Sequence, residues 1–288
     1  MKILVTGGKG QLGNEIRKLS VGYDLHKFTF VDIEDLDLTD DEKVEKYLQS
    51  EKPDVIIHCA AYTAVDKAEQ EKELAMKINA TVPGNIARII HGSGTKLIHI
   101  STDFVFNGKH DVPYIESDPP DPQSAYAYSK FMGEVEIRKH NAQGLIIRTS
   151  WLYSEYGTNF VKTILKKSRE LQELRVVFDQ VGTPTYAFDL ASAILQVLPD
   201  IQAQETMDIF HYSNEGVASW YDFAEAIVEM SGIQCNVLPI QTSELNQVVR
   251  RPSFSVLNKS KIKSRFNITI PYWRTSLQQC LDRINQGQ

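Results

Sequence analysis

Long apolar runs are missing from this 288-residue chain. No stretch approaches the roughly 20 residues that cross a bilayer, so no membrane partner is expected. Cysteine is scarce: Cys59, Cys235 and Cys280 are odd in number, widely spaced and form no CxxC pair. That pattern argues against a disulfide frame or zinc site and for free thiols in a reducing compartment. Positive charge is in deficit, 31 Lys and Arg against 37 Asp and Glu, for a net charge of −6 at pH 7. A nucleic-acid binder usually carries a basic face, so nucleic acid is not an expected partner. The histidines show no HExxH or other ligand spacing, and no catalytic metal is expected. The apolar part of the amino terminus is too short for a signal peptide and runs straight into a glycine turn, which makes the cytoplasm the expected location.

What is present is the pattern of an α/β protein. Lys2–Thr6, Leu25–Val31, Val55–Cys59, Lys96–Ser101 and Gly144–Thr149 read as strands, each short, apolar and bounded by polar or glycine-containing segments. Between them, Gln11–Leu19, Asp40–Ser50, Glu71–His91 and Tyr126–His140 read as helices. Such alternation predicts a doubly wound parallel sheet of the Rossmann type, covered on both faces. After about residue 150 the rhythm changes. Helices near Asn159–Glu170, Tyr186–Leu198 and Ser219–Met230 alternate with isolated strands such as Leu174–Phe178, Met207–Tyr212 and Cys235–Pro239. The expected division is a dinucleotide-binding domain over 1–150, with elements near 185–213 returning to it. A smaller α/β substrate-binding lobe over 151–184 and 214–288 would leave a cleft between the two.

Thr6-Gly7-Gly8-Lys9-Gly10-Gln11-Leu12-Gly13 lies where the first strand gives way to the first helix. Gly7, Gly10 and Gly13 permit a tight turn and let backbone N–H groups approach a pyrophosphate, whose charge the helix N-terminus favours. With no GK[ST], it is not a P-loop. Asp32 ends the second strand 19 residues after Gly13. A carboxylate there accepts hydrogen bonds from an adenine-ribose diol and repels a 2′-phosphate, which favours NADH over NADPH; Lys27 is the nearby cation arguing otherwise. Asp37 and Leu38 are placed to close over the adenine edge. Ala60 and Ala61, at the end of the third strand, are small enough for a flat cofactor to pass close to the backbone.

Ser101-Thr102-Asp103 ends the fourth strand, and Tyr126-Ala127-Tyr128-Ser129-Lys130 opens a helix. Tyr126 and Lys130, at i and i+4, share a helix face, whereas Tyr128 points elsewhere. The lysine ammonium is expected to lower the phenol's pKa and to hold a nicotinamide ribose. The phenol then gives its proton to an oxygen gaining charge as hydride arrives, with Thr102 bonding the same oxygen.

TGGxGQLG, AAYTAVDKAE, STDFVFNG, YxxxK, RTSWLY and RPSFSVLNKSK occur in this order from residue 1 to about 265. Together they resemble the dTDP-4-dehydrorhamnose reductase family, extended short-chain dehydrogenase/reductases. The resemblance implies NADH- or NADPH-dependent reduction of the carbon-4 ketone of dTDP-4-dehydro-L-rhamnose. It implies Tyr126 as proton donor, with Lys130 and Thr102 completing the catalytic group. Cofactor contacts fall on Gly10, Gln11, Leu12, Asp32, Asp37, Leu38, Ala61, Tyr62 and Thr63. Contacts to the dTDP-sugar fall on Thr102, Asp103, Tyr126, Lys130 and Trp151, whose indole offers an apolar face to a deoxysugar. Arg250 and Arg251 are suited to a diphosphate through bidentate pairing, Arg251 being the contact expected. Some members form a homodimer through acidic residues and Mg2+, in which Glu15 would take part.

Two neighbouring activities on this fold are a sugar-nucleotide 4,6-dehydratase and a 4-epimerase. Dehydration needs a Thr-Asp-Glu sequence, and here Thr102-Asp103 is followed by Phe104. RTSWLY and RPSFSVL fit a reductase better than an epimerase. A non-catalytic protein resembling the regulatory subunit of methionine adenosyltransferase need not keep Thr102, Tyr126 and Lys130.

Overall fold

The computed structural model describes residues 1–245 and 249–287. Six parallel strands form the central sheet. Five come from the first half: β1 (Lys2–Thr6), β2 (Lys27–Val31), β3 (Val55–His58), β4 (Lys96–Thr102) and β5 (Gln143–Thr149). The sixth is the later strand Met207–His211, and the order across the sheet is Met207–His211, β5, β4, β3, β1, β2. Alternation along each strand sends side chains to opposite faces. Ile3, Val5, Ile57, Ile98 and Ile147 pack on Leu12 and Ile16 of the helix Gln11–Ser20 and on the helix Ala187–Ile201. Leu4, Ile56, Leu97 and Ile146 face Val44, Leu48, Val82 and Ile86 on the other side. Both faces of the sheet are thus buried, as an all-parallel sheet requires.

The order reverses between β1 and β3, so the chain leaves β1 in one direction to β2 and returns on its other side to β3. Ligands of open α/β sheets bind in the crevice at the carboxyl ends of strands flanking such a point.

Beyond β5, a separate apolar cluster gathers Val161, Leu165, Leu174, Phe223, Ile227 and Leu277. It joins the helices Phe160–Glu170, Trp220–Met230 and Trp273–Gln286 to the paired strands Glu173–Val177 and Asn236–Ile240. The helices Ser260–Phe266 and Trp273–Gln286 were not anticipated from the sequence.

Two expectations are corrected. The second strand begins at Lys27, because Leu25 is 91% exposed and the His26 N–H closes a turn on the Tyr23 carbonyl. The single helix expected over Glu71–His91 is instead Lys72–Met76, a π-turn at Lys77–Thr81, then Val82–Ile90. Pro83 has no N–H to give the Asn79 carbonyl four residues back, and the Val82 N–H reaches five back to Lys77.

Candidate active site

The glycine turn is dictated by contact. Gly7 has φ +67°, and a Cβ there would lie 2.7 Å from the Ala60 nitrogen, so the ends of β1 and β3 meet backbone to backbone. A Cβ on Gly13 would fall 2.3 Å from the Gly7 oxygen, which itself accepts from the Gly10 N–H at 3.0 Å. The helix Gln11–Ser20 starts directly after Gly10 with no side chain capping its first N–H groups. Those donors face a cleft of about 910 Å³, a volume in the range of ligand sites.

One end of the cleft is wet. Asp32 sits just beyond β2, its carboxylate held by the Lys9 N–H at 2.8 Å and the Ile33 N–H at 2.9 Å. Asp37 accepts from the Thr39 N–H and hydroxyl, and these bonds pull its pKa below the ordinary value. Leu38 completes this wall. Lys27 begins β2 while Asp32 follows its far end, so Lys27 does not accompany Asp32. Lys9 is the cation beside that carboxylate, a neighbour hidden in the variable position of the glycine motif.

The other end is dry. Thr102 and Asp103 end β4; Tyr126, half-buried, and Lys130, buried, project from the helix Ala125–Lys139 onto the same wall. Ser124 caps that helix by accepting from the Ala127 N–H, fixing where its first turn begins. Burial pushes the Tyr126 phenol up to about 12, with the Thr102 hydroxyl pulling the other way. The expected lowering by Lys130 is not what the geometry gives. The ammonium donates to the Ile100 carbonyl at 2.6 Å instead, and burial lowers Lys130 to about 8 against the pull of Glu134. The phenol therefore stays protonated at neutral pH, the form a donor needs. Burial also raises Asp103 to about 7; its Oδ1 accepts from Thr102 at 3.1 Å, and its Oδ2 has no hydrogen-bond partner among the described residues.

Gly7, Gly10, Gln11, Leu12, Gly13, Ala60, Ala61 and Thr63 line the cleft with these groups. Tyr62 does not: its phenol turns out to Glu71, while its backbone is clamped by Asn79. The chain beyond β5 supplies Trp151, Trp220 and Arg251. Trp151 has φ +47°, a costly conformation outside glycine, and stacks on Trp220 with ring centroids 3.6 Å apart. One face of the Trp151 indole is therefore taken by a second tryptophan that no local sequence signal connects to it. Arg251 lines the cleft 3.6 Å from the Asp66 carboxylate, and Arg250 does not line it.

Two supports behind the site escaped the sequence reading. The Asn79 amide donates to the Tyr62 carbonyl and to the Ser129 hydroxyl at 3.0 Å, tying the loop after β3 to the Tyr126 helix. The backbone carbonyl of Asn79 lies against Gly133, where a Cβ would fall 2.2 Å from that oxygen. Below Lys130, Glu134 accepts from Ser101 at 2.5 Å and pairs bidentately with Arg148 at 2.9 and 2.7 Å, both side chains 2% exposed. The signal for Glu134 was available, since it continues the i, i+4 face of Tyr126 and Lys130 by one more step.

A profile of the RmlD substrate binding domain matches residues 1–286. The chain belongs to this family, that of the dTDP-4-dehydrorhamnose reductases. It is 40% identical to the spore coat polysaccharide biosynthesis protein SpsK of Bacillus subtilis, over 97% of this chain and 96% of that protein. Among solved structures, the dTDP-4-dehydrorhamnose reductase of Clostridium acetobutylicum superposes with a TM-score of 0.94 at 40% identity, covering 99% of this chain and 100% of its own. The reductase of Bacillus anthracis, solved in complex with NADP, gives 0.91 at 35% identity, covering 98% and 99%. For this reductase family, then, the doubly wound α/β fold is the observed one, and the RTSWLY segment carries Trp151 into the cleft.

Proposed function

We propose that this protein reduces the carbon-4 ketone of dTDP-4-dehydro-L-rhamnose with NAD(P)H, yielding dTDP-L-rhamnose. The observation that carries the reading is the meeting of Thr102, Tyr126 and Lys130 on one wall of a cleft that starts at the glycine turn, in a chain matching these reductases over nearly its full length. The nicotinamide cofactor supplies the hydride. Gly10, Gln11 and Leu12 hold its pyrophosphate at the helix N-terminus, Asp32 accepts from the adenine ribose, and Lys130 holds the nicotinamide ribose. Tyr126 protonates the oxygen at carbon 4 and Thr102 bonds the same oxygen. Asp103 and Trp151 orient the sugar, and Arg251 exchanges Asp66 for the diphosphate. Residues 1–150 bind the dinucleotide and 151–184 with 214–288 bind the sugar nucleotide. Asp32, unaccompanied by Lys27, favours NADH.

An interface Mg2+ does not fit these residues. Glu15 is fully buried within its own protomer, its carboxyl pushed up by burial and by Glu155, so it presents nothing to a second copy. No group of three or more His, Cys, Asp or Glu suited to a metal is found among the described residues. Among the described residues no helix is long and apolar enough to cross a membrane.

The test is NADH oxidation with dTDP-4-dehydro-L-rhamnose and identification of the product. Turnover to dTDP-L-rhamnose is expected. Cofactor binding without turnover of any dTDP- or UDP-4-keto sugar would overturn the reading.

A further inference from the structure

Lys9 and its neighbours form an exposed charge cluster beside Asp32. The Lys9 backbone N–H is bonded to the Asp32 carboxylate, while its ammonium is drawn to Glu34 at 2.7 Å, both side chains 64% exposed. Lys9 lines the cleft and Glu34 does not. The ammonium also feels Asp35 and Asp32, so one cation faces three acids. The other basic residues lining the cleft are engaged at its far side, Lys130 by the Ile100 carbonyl and Arg251 by Asp66. Arg17, which does not line the cleft, has its guanidinium carbon 4.1 Å from the Phe30 ring centroid and Nη2 against Gly8.

We propose that Glu34 sets the choice between NADH and NADPH by holding Lys9 away from the ribose 2′ position. The proposal rests on the reading that this cleft takes a nicotinamide dinucleotide. A 2′-hydroxyl asks nothing of Lys9, because it donates to Asp32. A 2′-phosphate brings nearly two negative charges against Asp32 and needs a cation to offset them. Lys9, the cation that lines this end of the cleft, is already paired with Glu34. Neutralising Glu34 releases Lys9 to the phosphate and leaves the Asp32 carboxylate in place for the hydroxyl. Glu34 thus acts from outside the cleft, through Lys9.

The experiment compares kcat/KM for NADH and NADPH in the wild type, Glu34→Gln, Lys9→Gln and the double variant. Binding of 2′,5′-ADP against 5′-AMP is measured alongside, as a readout independent of turnover. Glu34→Gln is expected to raise the NADPH-to-NADH ratio about fivefold, the upper scale for an exposed ion pair, through a lower KM for NADPH. Its NADH parameters stay within about twofold of wild type. Lys9→Gln lowers the ratio, and the double variant shows the Lys9→Gln ratio with no gain. The gain in Glu34→Gln shrinks as salt rises. An unchanged ratio in Glu34→Gln, or the same gain without Lys9, overturns the proposal while NADH turnover leaves the functional reading standing. Failure of the wild type to bind either dinucleotide would sink both.

Discussion

The two ends of the cleft handle charge in opposite ways. At the proposed adenine end Asp32, Glu34 and Lys9 are held by backbone N–H groups and exposed pairing, in reach of solvent ions. At the proposed nicotinamide end Asp103, Lys130 and Tyr126 are displaced from their ordinary pKa values chiefly by burial. Water screens the first set, whereas the second works where a misplaced proton is costly. On the proposed reading, proton transfer falls to the dry end and telling one dinucleotide from another to the wet one.

That contrast is broken or sharpened by experiments of decreasing size. The largest effect belongs to the ion pair under Lys130: Glu134→Ala strands the Arg148 guanidinium and should cost about 3–5 kcal/mol in urea unfolding. A loss below about 1 kcal/mol, the scale of a surface pair, would show that the dry end is wetter than drawn. Next is Tyr126→Phe, which should fold and bind cofactor yet lose at least about a hundredfold in kcat. Near-normal turnover would move the proton donor elsewhere. Third is pH. Lys130 is lowered to about 8, so its ammonium is present below that pH and lost as pH rises through it. The kcat/KM for NADH, which reports groups of the free enzyme, should therefore fall on an alkaline limb near pH 8, and a flat profile to pH 10 would detach Lys130 from the chemistry. Smallest is salt. Going from low to physiological ionic strength shortens the Debye length to about 8 Å. The NADPH-to-NADH ratio should change by about twofold and the kcat for NADH hardly at all.

Most of the sheet was legible because each strand is a short apolar run with a fixed period, and the glycine turn because steric contact leaves few other residues there. Thr102, Tyr126 and Lys130 were legible by spacing, one after a strand and two on a helix face. What the spacing did not convey was environment. The depressed pKa expected for Tyr126 presumed a lysine aimed at the phenol, whereas the ammonium turns to the Ile100 carbonyl. Long-range pairings were equally hidden: Trp151 with Trp220 and Glu134 with Arg148 join segments 69 and 14 residues apart. The cation near Asp32 was misassigned to Lys27 because nearness in the chain was taken for nearness in space. Pro83 was a visible warning that the long helix would not run unbroken, and it was overlooked, as was Glu134 one step further along the face of Tyr126 and Lys130.

The π-turn at Lys77–Thr81 has one consequence of its own. A wide turn is an α-helix carrying a surplus residue, and here the surplus puts the Asn79 side chain between two other elements. Deleting a single residue from this stretch is expected to give a more regular helix and to withdraw the Asn79 bonds that tie the loop after β3 to the Tyr126 helix. An imperfection in the hydrogen-bond ladder here serves as an alignment pin.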